Sequence, residues 1–123
     1  MQPLHVVVLQ GDQGIASSLG TALSSSFSSV HHAGSASELR ALLTRNKTGV
    51  LILDIESVPL REVGRLSADF PQASIVCTHR VPDEEMWLAA LTAGAMDVCP
   101  SSDISAIVRS ALGSASSAAS AAA

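Results

Sequence analysis

Residues 49–56 read Gly-Val-Leu-Ile-Leu-Asp-Ile-Glu, an aliphatic run that is interrupted at Asp54. A continuous apolar run this short is typical of a strand buried on both faces, as in a parallel sheet covered by helices. Asp54 then falls at the carboxyl end of the strand, the edge where open α/β sheets gather their ligand chemistry. Asp54 is therefore either a reacting group or a carboxylate that caps the following loop.

The composition indicates one domain with an aliphatic core. A chain of 123 residues can bury roughly two thirds of its unfolded surface. Because apolar residues make up 47% of the chain and aromatic residues only 2%, the core must consist of Val, Leu, Ile and Ala, which favours helix-on-sheet packing.

Charge and hydropathy exclude two classes of partner. The formal net charge is −4 and the seven Lys and Arg are scattered, so we expect no nucleic-acid surface. No apolar run approaches the length of a membrane span, and the amino-terminal residues lack the pattern of a signal peptide. We therefore expect a cytoplasmic protein without membrane contact.

Apolar spacing predicts five strands that alternate with five helices, which is the pattern of a doubly wound parallel sheet. Asp12 is placed to cap a first helix with Ile15, Leu19, Leu23 and Phe27 on its buried face. Strands are predicted at residues 4–9, 29–33, 49–54, 73–78 and 95–99. The domain is assigned to residues 1–112. Residues 113–123 form a Ser/Ala-rich tail that either prolongs the last helix or lacks fixed structure.

Right-handed crossovers bring the ends of strands one, three, four and five to one edge of this sheet. The arrangement resembles the receiver domain of two-component response regulators over residues 4–112. The resemblance rests on three segments in this order and separation: 51–54 (Leu-Ile-Leu-Asp), 75–78 (Ile-Val-Cys-Thr) and 93–97 (Ala-Gly-Ala-Met-Asp). It implies a flavodoxin-like (βα)5 fold with strand order 2-1-3-4-5, and a role in phosphorelay signalling without enzymatic activity of its own.

The same resemblance implies a candidate phosphoacceptor, Asp54, and a candidate switch hydroxyl, Thr78. Active receivers also hold Mg²⁺ with two acids after strand one and place a lysine after strand five. Here the acid positions read Gln10 and Gly11, with only Asp12 nearby. The lysine position falls on Cys99, Pro100 or Ser101.

These losses favour a pseudo-receiver that acts by protein–protein contact. The metal clamp and the lysine would each be worth ~2.7–4 kcal/mol of transition-state stabilisation if they compare with one oxyanion-hole donor. We therefore expect no cofactor. The alternative is a working phospho-switch on Asp54 with a non-standard Mg²⁺ site that uses Asp12, Asp54 and Glu56.

The resemblance also implies an interaction surface on the fourth helix, fifth strand and fifth helix, which serves homodimer and output contacts in receivers. The candidate residues there are Trp87, Leu88, Ile104 and Val108. The expected partner is a sensor kinase, an output protein or a second copy of the chain. Packing within the domain is the other interpretation of Trp87.

Three further groups have two interpretations each. Cys77 and Cys99 are either buried apolar thiols or a redox or metal pair on neighbouring strands, and the absence of Cys-x-x-Cys spacing favours the former. The segment 31–32 (His-His) is either surface or pH-sensing. The segment 79–80 (His-Arg) is either a solvated loop or an anion contact.

Overall fold

The computed structural model describes residues 2–46 and 48–122, with side chains described for 5–46 and 49–113. It contains one parallel sheet in the order β2-β1-β3-β4-β5, which confirms the predicted fold. The strands are β1 (Gln2–Leu9), β2 (Phe27–Ala33), β3 (Thr48–Asp54), β4 (Ser74–His79) and β5 (Asp97–Pro100). The helices are α1 (Gln13–Ser24), α2 (Ala36–Arg45), α3 (Leu60–Asp69), α4 (Glu84–Ala93) and α5 (Ile104–Ala122).

Side chains of the central strands alternate between two separate cores, because successive residues of a strand point to opposite faces. One core lies between the sheet and α2, α3 and α4, and the other between the sheet and α1 and α5. Both faces of β1 and β3 are therefore buried, which explains their unbroken aliphatic runs. The first core takes Val7, Leu9, Leu51, Leu53 and Ile75, and the second takes Val6, Val8, Val50, Ile52 and Val76.

The predicted start of α1 is observed, but the predicted helix is too long at its carboxyl end. Asp12 Oδ1 accepts a hydrogen bond from Ile15 N at 3.1 Å and so caps α1 as predicted. Phe27 does not continue the apolar stripe of α1, since that helix ends at Ser24 and Phe27 opens β2. The ring is nevertheless buried in the core beneath α1 and α5.

The Ser/Ala-rich segment prolongs the last helix. The backbone of α5 runs from Ile104 to Ala122, while Ala123 lies outside the described residues. Within the described part of the chain, no helix is both long and apolar enough to cross a membrane.

Gly94 ends α4 and makes the turn into β5. Its φ of +121° lies in the region that only glycine adopts without strain, and its N–H bonds to the carbonyls of Ala90 and Leu91. A Cβ at this position would approach the side chain of Ser67, coming within 2.7 Å of the Ser67 Cβ. Position 94 therefore requires glycine for both its backbone angle and its surroundings.

We predict that Gly94→Ala lowers the free energy of unfolding by ~1–3 kcal/mol, because alanine is strained at this backbone angle. Gly113→Ala is the matched control, since Gly113 is an exposed position within α5 where a Cβ would meet no other atom within 4 Å. That change should raise the free energy of unfolding by ~0.5–1 kcal/mol through helix propensity. Chemical denaturation of both variants measures the two free energies of unfolding. Equal changes in the two variants would contradict the prediction.

Candidate functional site

The carboxyl ends of the strands form a shallow depression of about 320 Å³. Asp54 is paired in register with Thr78 of the neighbouring strand, so the ends of β3 and β4 lie side by side. The sequence prediction that several strand ends meet at this edge is therefore confirmed. The depression is lined by Gln10, Gly11, Asp12, Ile15, Asp54, Glu56, Ser57, Arg80 and Ser101.

The carboxylate of Asp54 is buried and accepts three hydrogen bonds from the protein. Asp54 Oδ2 accepts from Gly11 N at 3.0 Å and from Ser57 Oγ at 2.9 Å. Asp54 Oδ1 accepts from Glu56 N at 2.9 Å. Because Asp54 is only 7% exposed, these bonds offset the cost of removing a charge from water. This is the arrangement expected of a carboxylate that caps the following loop.

Gly11 lies against this carboxylate because it has no side chain. A Cβ at position 11 would come within 2.7 Å of Ser57 Oγ and 3.2 Å of Asp54 Oδ2. An acidic residue at this position would therefore have to displace the Ser57 hydroxyl. A side chain at position 11 would therefore cost Asp54 its hydrogen bond from Ser57.

Thr78 is fully buried, and its hydroxyl is already bonded within the domain. Gln10 Nε2 donates to Thr78 Oγ1 at 2.6 Å, and Gln10 is itself buried. Gln10 stands at a position where active receivers have an acid, and its amide side chain ties the end of β1 to the end of β4. The candidate switch hydroxyl is therefore held by an internal hydrogen bond.

Ser101 occupies the position at which the receiver resemblance places a lysine. It directly follows β5, lines the same depression as Asp54 and is 3% exposed. Its backbone N–H donates to the carbonyl of His79 at 2.9 Å, which joins the loop after β5 to β4. Of the three residues left open by the sequence, Ser101 is the one that lines this depression, and its side chain is neutral.

Glu56 and Arg80, which both line the depression, form an ion pair. Glu56 Oε1 accepts from Arg80 N at 2.8 Å and its Oε2 from Arg80 Nε at 2.9 Å. The backbone N–H and then the guanidinium of Arg80 lower the pKa of Glu56 below its ordinary value. Next to this pair, His79 Nδ1 accepts from Val81 N, so the segment 79–80 forms a hydrogen-bonded loop.

The three acids proposed for Mg²⁺ line one depression, but each has another partner. Asp12 caps α1, Asp54 accepts three hydrogen bonds, and Glu56 is paired with Arg80. Across the described residues, no group of three or more His, Cys, Asp or Glu is arranged to hold a metal ion. A divalent cation prefers several oxygen ligands. The donor set present here does not fit one.

The candidate interface residues differ in exposure. Trp87 and Leu88 on α4 are 41% and 51% exposed, and Val81 and Met96 are also large exposed apolar side chains. Ile104 and Val108 are instead partly buried and pack on the core beneath α5. The exposed apolar surface is therefore carried by α4 and its flanking loops.

Cys77 and Cys99 lie on neighbouring strands as predicted, but they belong to different cores. Cys77 is in register with Val98, so Cys77 and Cys99 point to opposite faces of the sheet. Both are buried free thiols. Burial raises the pKa of Cys77 to about 12 and raises that of Cys99 as well. This placement agrees with the interpretation of two apolar core thiols.

Solved structures supply the decisive comparison, since no family model and no curated protein matches the sequence. A CheY-like protein, TadZ, from Pseudomonas aeruginosa is 30% identical over 86% of this chain and 91% of that one, with a TM-score of 0.68. The chain belongs to the CheY-like receiver-domain family.

Two further receivers have the same fold at lower identity. A response regulator from Thermotoga maritima is 20% identical over 93% of this chain and 98% of that one, with a TM-score of 0.82. The N-terminal receiver domain of a response regulator from Bacteroides fragilis is 17% identical over 92% and 97%, with a TM-score of 0.83.

In this receiver, sequence reasoning missed two hydrogen bonds at the site. The Ser57 hydroxyl on Asp54 has a weak local signal, because a serine three residues after a buried acid can bond back to it. The Gln10–Thr78 bond has none, since 68 residues separate its partners. Each joins a predicted site residue, Asp54 or Thr78, to a residue for which the sequence had predicted no such contact, Ser57 or Gln10.

We predict that Asp54→Asn lowers the free energy of unfolding of this receiver by ~1–3 kcal/mol, because an NH2 group then replaces one oxygen and faces a donor that the oxygen had accepted from. Asp83→Asn is the matched control: Asp83 Oδ1 caps α4 by accepting from Met86 N, and asparagine caps as well as aspartate. Thermal or chemical unfolding checks this. A higher free energy of unfolding for Asp54→Asn than for the wild type would show that the negative charge of the carboxylate destabilises the fold, which would contradict its role as a loop cap.

Proposed function

We propose that this receiver is a pseudo-receiver, a signalling module that acts through protein–protein contacts and not by accepting a phosphoryl group. The observation that carries the proposal is the carboxylate of Asp54, whose two oxygens already accept three hydrogen bonds from the chain. Three of the roughly four lone-pair sites of the carboxylate are therefore occupied, which lowers its nucleophilicity toward phosphorus. Such a carboxylate is suited to hold the β3–α3 loop in one conformation.

The charges around the site support the same function. Phosphoryl transfer gathers negative charge, which a cation and a lysine normally offset. Here the neutral Ser101 lines the depression, and Arg80, which lines it too, has its guanidinium paired with Glu56. Losing one such stabilising group costs ~2.7–4 kcal/mol, or roughly two to three decades in rate.

The second candidate is a phospho-switch on Asp54 with Thr78 as the switch hydroxyl and Mg²⁺ held by Asp12, Asp54 and Glu56. It is favoured by one observation, that all three acids line the same depression. It requires Asp54 to release Ser57 or Gly11, and Glu56 to release Arg80. Thr78 would also have to exchange its bond from Gln10 for one to a phosphoryl oxygen.

We predict no phosphorylation when the chain is incubated with acetyl phosphate and Mg²⁺, because among the residues that the structure describes neither a metal cluster nor a lysine offsets the added charge. Intact-mass spectrometry measures the phosphoryl adduct, and Trp87 fluorescence reports beryllofluoride binding. A phosphorylatable receiver run in parallel shows that the donor is active. An adduct that disappears in Asp54→Asn would instead establish the phospho-switch.

The contact surface we assign to this module is the exposed part of α4. Trp87 and Leu88 are adjacent on that helix and expose large apolar area, and tryptophan is enriched among residues that dominate interface energies. A sensor kinase or an output protein would fit such a surface, and so would a second copy of the chain. The two buried free thiols are typical of the reducing cytoplasm, where we expect these contacts to form.

We predict that the chain self-associates through α4, and that Trp87→Ala weakens the dimer by about 30-fold, as for a hot-spot loss of ~2 kcal/mol. Thr92→Ala is the matched control on the same helix, because Thr92 is exposed and its hydroxyl bonds only to Leu88 O. Sedimentation velocity over a concentration series provides the dissociation constants. A monomer at every concentration would exclude the second copy as the partner of this surface.

A further inference from the structure

A cluster of two histidines and one serine lies on β1 and β2, away from the Asp54 edge. His5 is in register with Ser29, and Val7 is in register with His31, so the three polar side chains share one face of the sheet. His5 is four residues before the end of β1, about 13 Å along the strand at 3.3 Å per residue. The cluster is therefore separate from the depression at the carboxyl ends.

The two imidazole rings converge on a single point. His5 Nδ1 is hydrogen-bonded to Ser29 Oγ, and His31 Nε2 lies 3.1 Å from the same oxygen. The ring centroids are 5.7 Å apart, with an angle of 38° between the ring planes. A serine hydroxyl carries one proton and can donate to only one of the two nitrogens, so the other ring must donate to it. Two ring nitrogens thus face one small polar atom.

Two converging imidazole nitrogens are a chelating pair for borderline transition metals. Imidazole suits Zn²⁺, Cu²⁺ and Ni²⁺, with Zn–N distances of about 2.0–2.1 Å. All three side chains of the cluster are only partly buried, and β2 is an edge strand, so an ion from solvent can reach them. Water and the Ser29 hydroxyl can supply the remaining ligands of a four-coordinate ion.

We propose that His5 Nδ1 and His31 Nε2 bind a divalent transition metal of the Zn²⁺ class, with Ser29 Oγ turning aside or serving as a third ligand. The ion joins the edge strand β2 to β1 and so stabilises that edge of the sheet. This site is independent of the proposed signalling function and of the acids around Asp54.

The same strand provides a matched control. His32 follows His31 but points to the opposite face, where its ring lies over α1. A Cβ added to Gly20 would come within 2.8 Å of His32 Nε2. His32 therefore tests whether zinc binding depends on the converging pair or on any histidine of this strand.

The experiment is a Zn²⁺ titration of the untagged full chain by calorimetry, for the wild type, His5→Gln, His31→Gln and His32→Gln. We expect saturable binding to the wild type, weakened about 10–100-fold or more in His5→Gln and in His31→Gln. His32→Gln should bind as the wild type does. Zn²⁺ should also raise the unfolding temperature of the wild type, because it binds the folded state.

Histidine-ring NMR of the wild type keeps the test decisive if a variant fails to fold. Zn²⁺ should shift the ring signals of His5 and His31 and leave those of His32 and His79 unchanged. Absence of saturable binding to the folded wild type would overturn the proposal. The two histidines would then serve only to hydrogen-bond β1 to β2 through Ser29. Equal loss of binding in His32→Gln, or ring shifts confined to His32 or His79, would overturn it too.

Discussion

The buried carboxylate of Asp54 is the constraint on which the functional edge of this receiver depends. A charge out of contact with water must be paired or hydrogen-bonded, and the chain meets that requirement with Gly11, Glu56 and Ser57. Gly11 follows β1, whereas the other two belong to the loop after β3. The need to satisfy one carboxylate therefore holds together two segments that are more than 40 residues apart in the chain.

The receiver fold of this chain does not depend on the residues that the family uses for phosphoryl transfer. The aliphatic strands and the two cores need no metal and no phosphoryl group, so the fold persists with Gln10, Gly11 and Ser101 in the positions of charged residues. Gln10 and Gly11 also make hydrogen bonds of their own at this site. The amide of Gln10 bonds Thr78 and the N–H of Gly11 bonds Asp54, so the candidate switch hydroxyl and the candidate phosphoacceptor are each held by a residue that follows β1. A shared fold is thus compatible with the mode of action that we propose.

Much of the fold could be predicted because it depends on local patterns. An unbroken apolar run is buried on both faces, an acid before a helix caps it, and a glycine after a helix makes a left-handed turn, as β3, Asp12 and Gly94 illustrate. Phe27 was assigned to the wrong element because the fourfold spacing of α1 continues by chance into β2. Its burial was nevertheless predicted correctly, since α1 and the ring share one core.

By itself the sequence determined the order of the elements, the parallel sheet and the meeting of Gln10, Gly11, Asp54 and Thr78 at one edge, because hydrophobic periodicity and crossover handedness suffice for these. Only the tertiary structure decided what those residues do there. A hydrogen bond between segments remote in sequence requires that the donor and acceptor be placed to within a few tenths of an ångström, as in the Gln10–Thr78 bond at 2.6 Å. The placement of Ser101 beside Asp54, and of two histidine rings around Ser29, likewise follows from strand register, which no local pattern encodes.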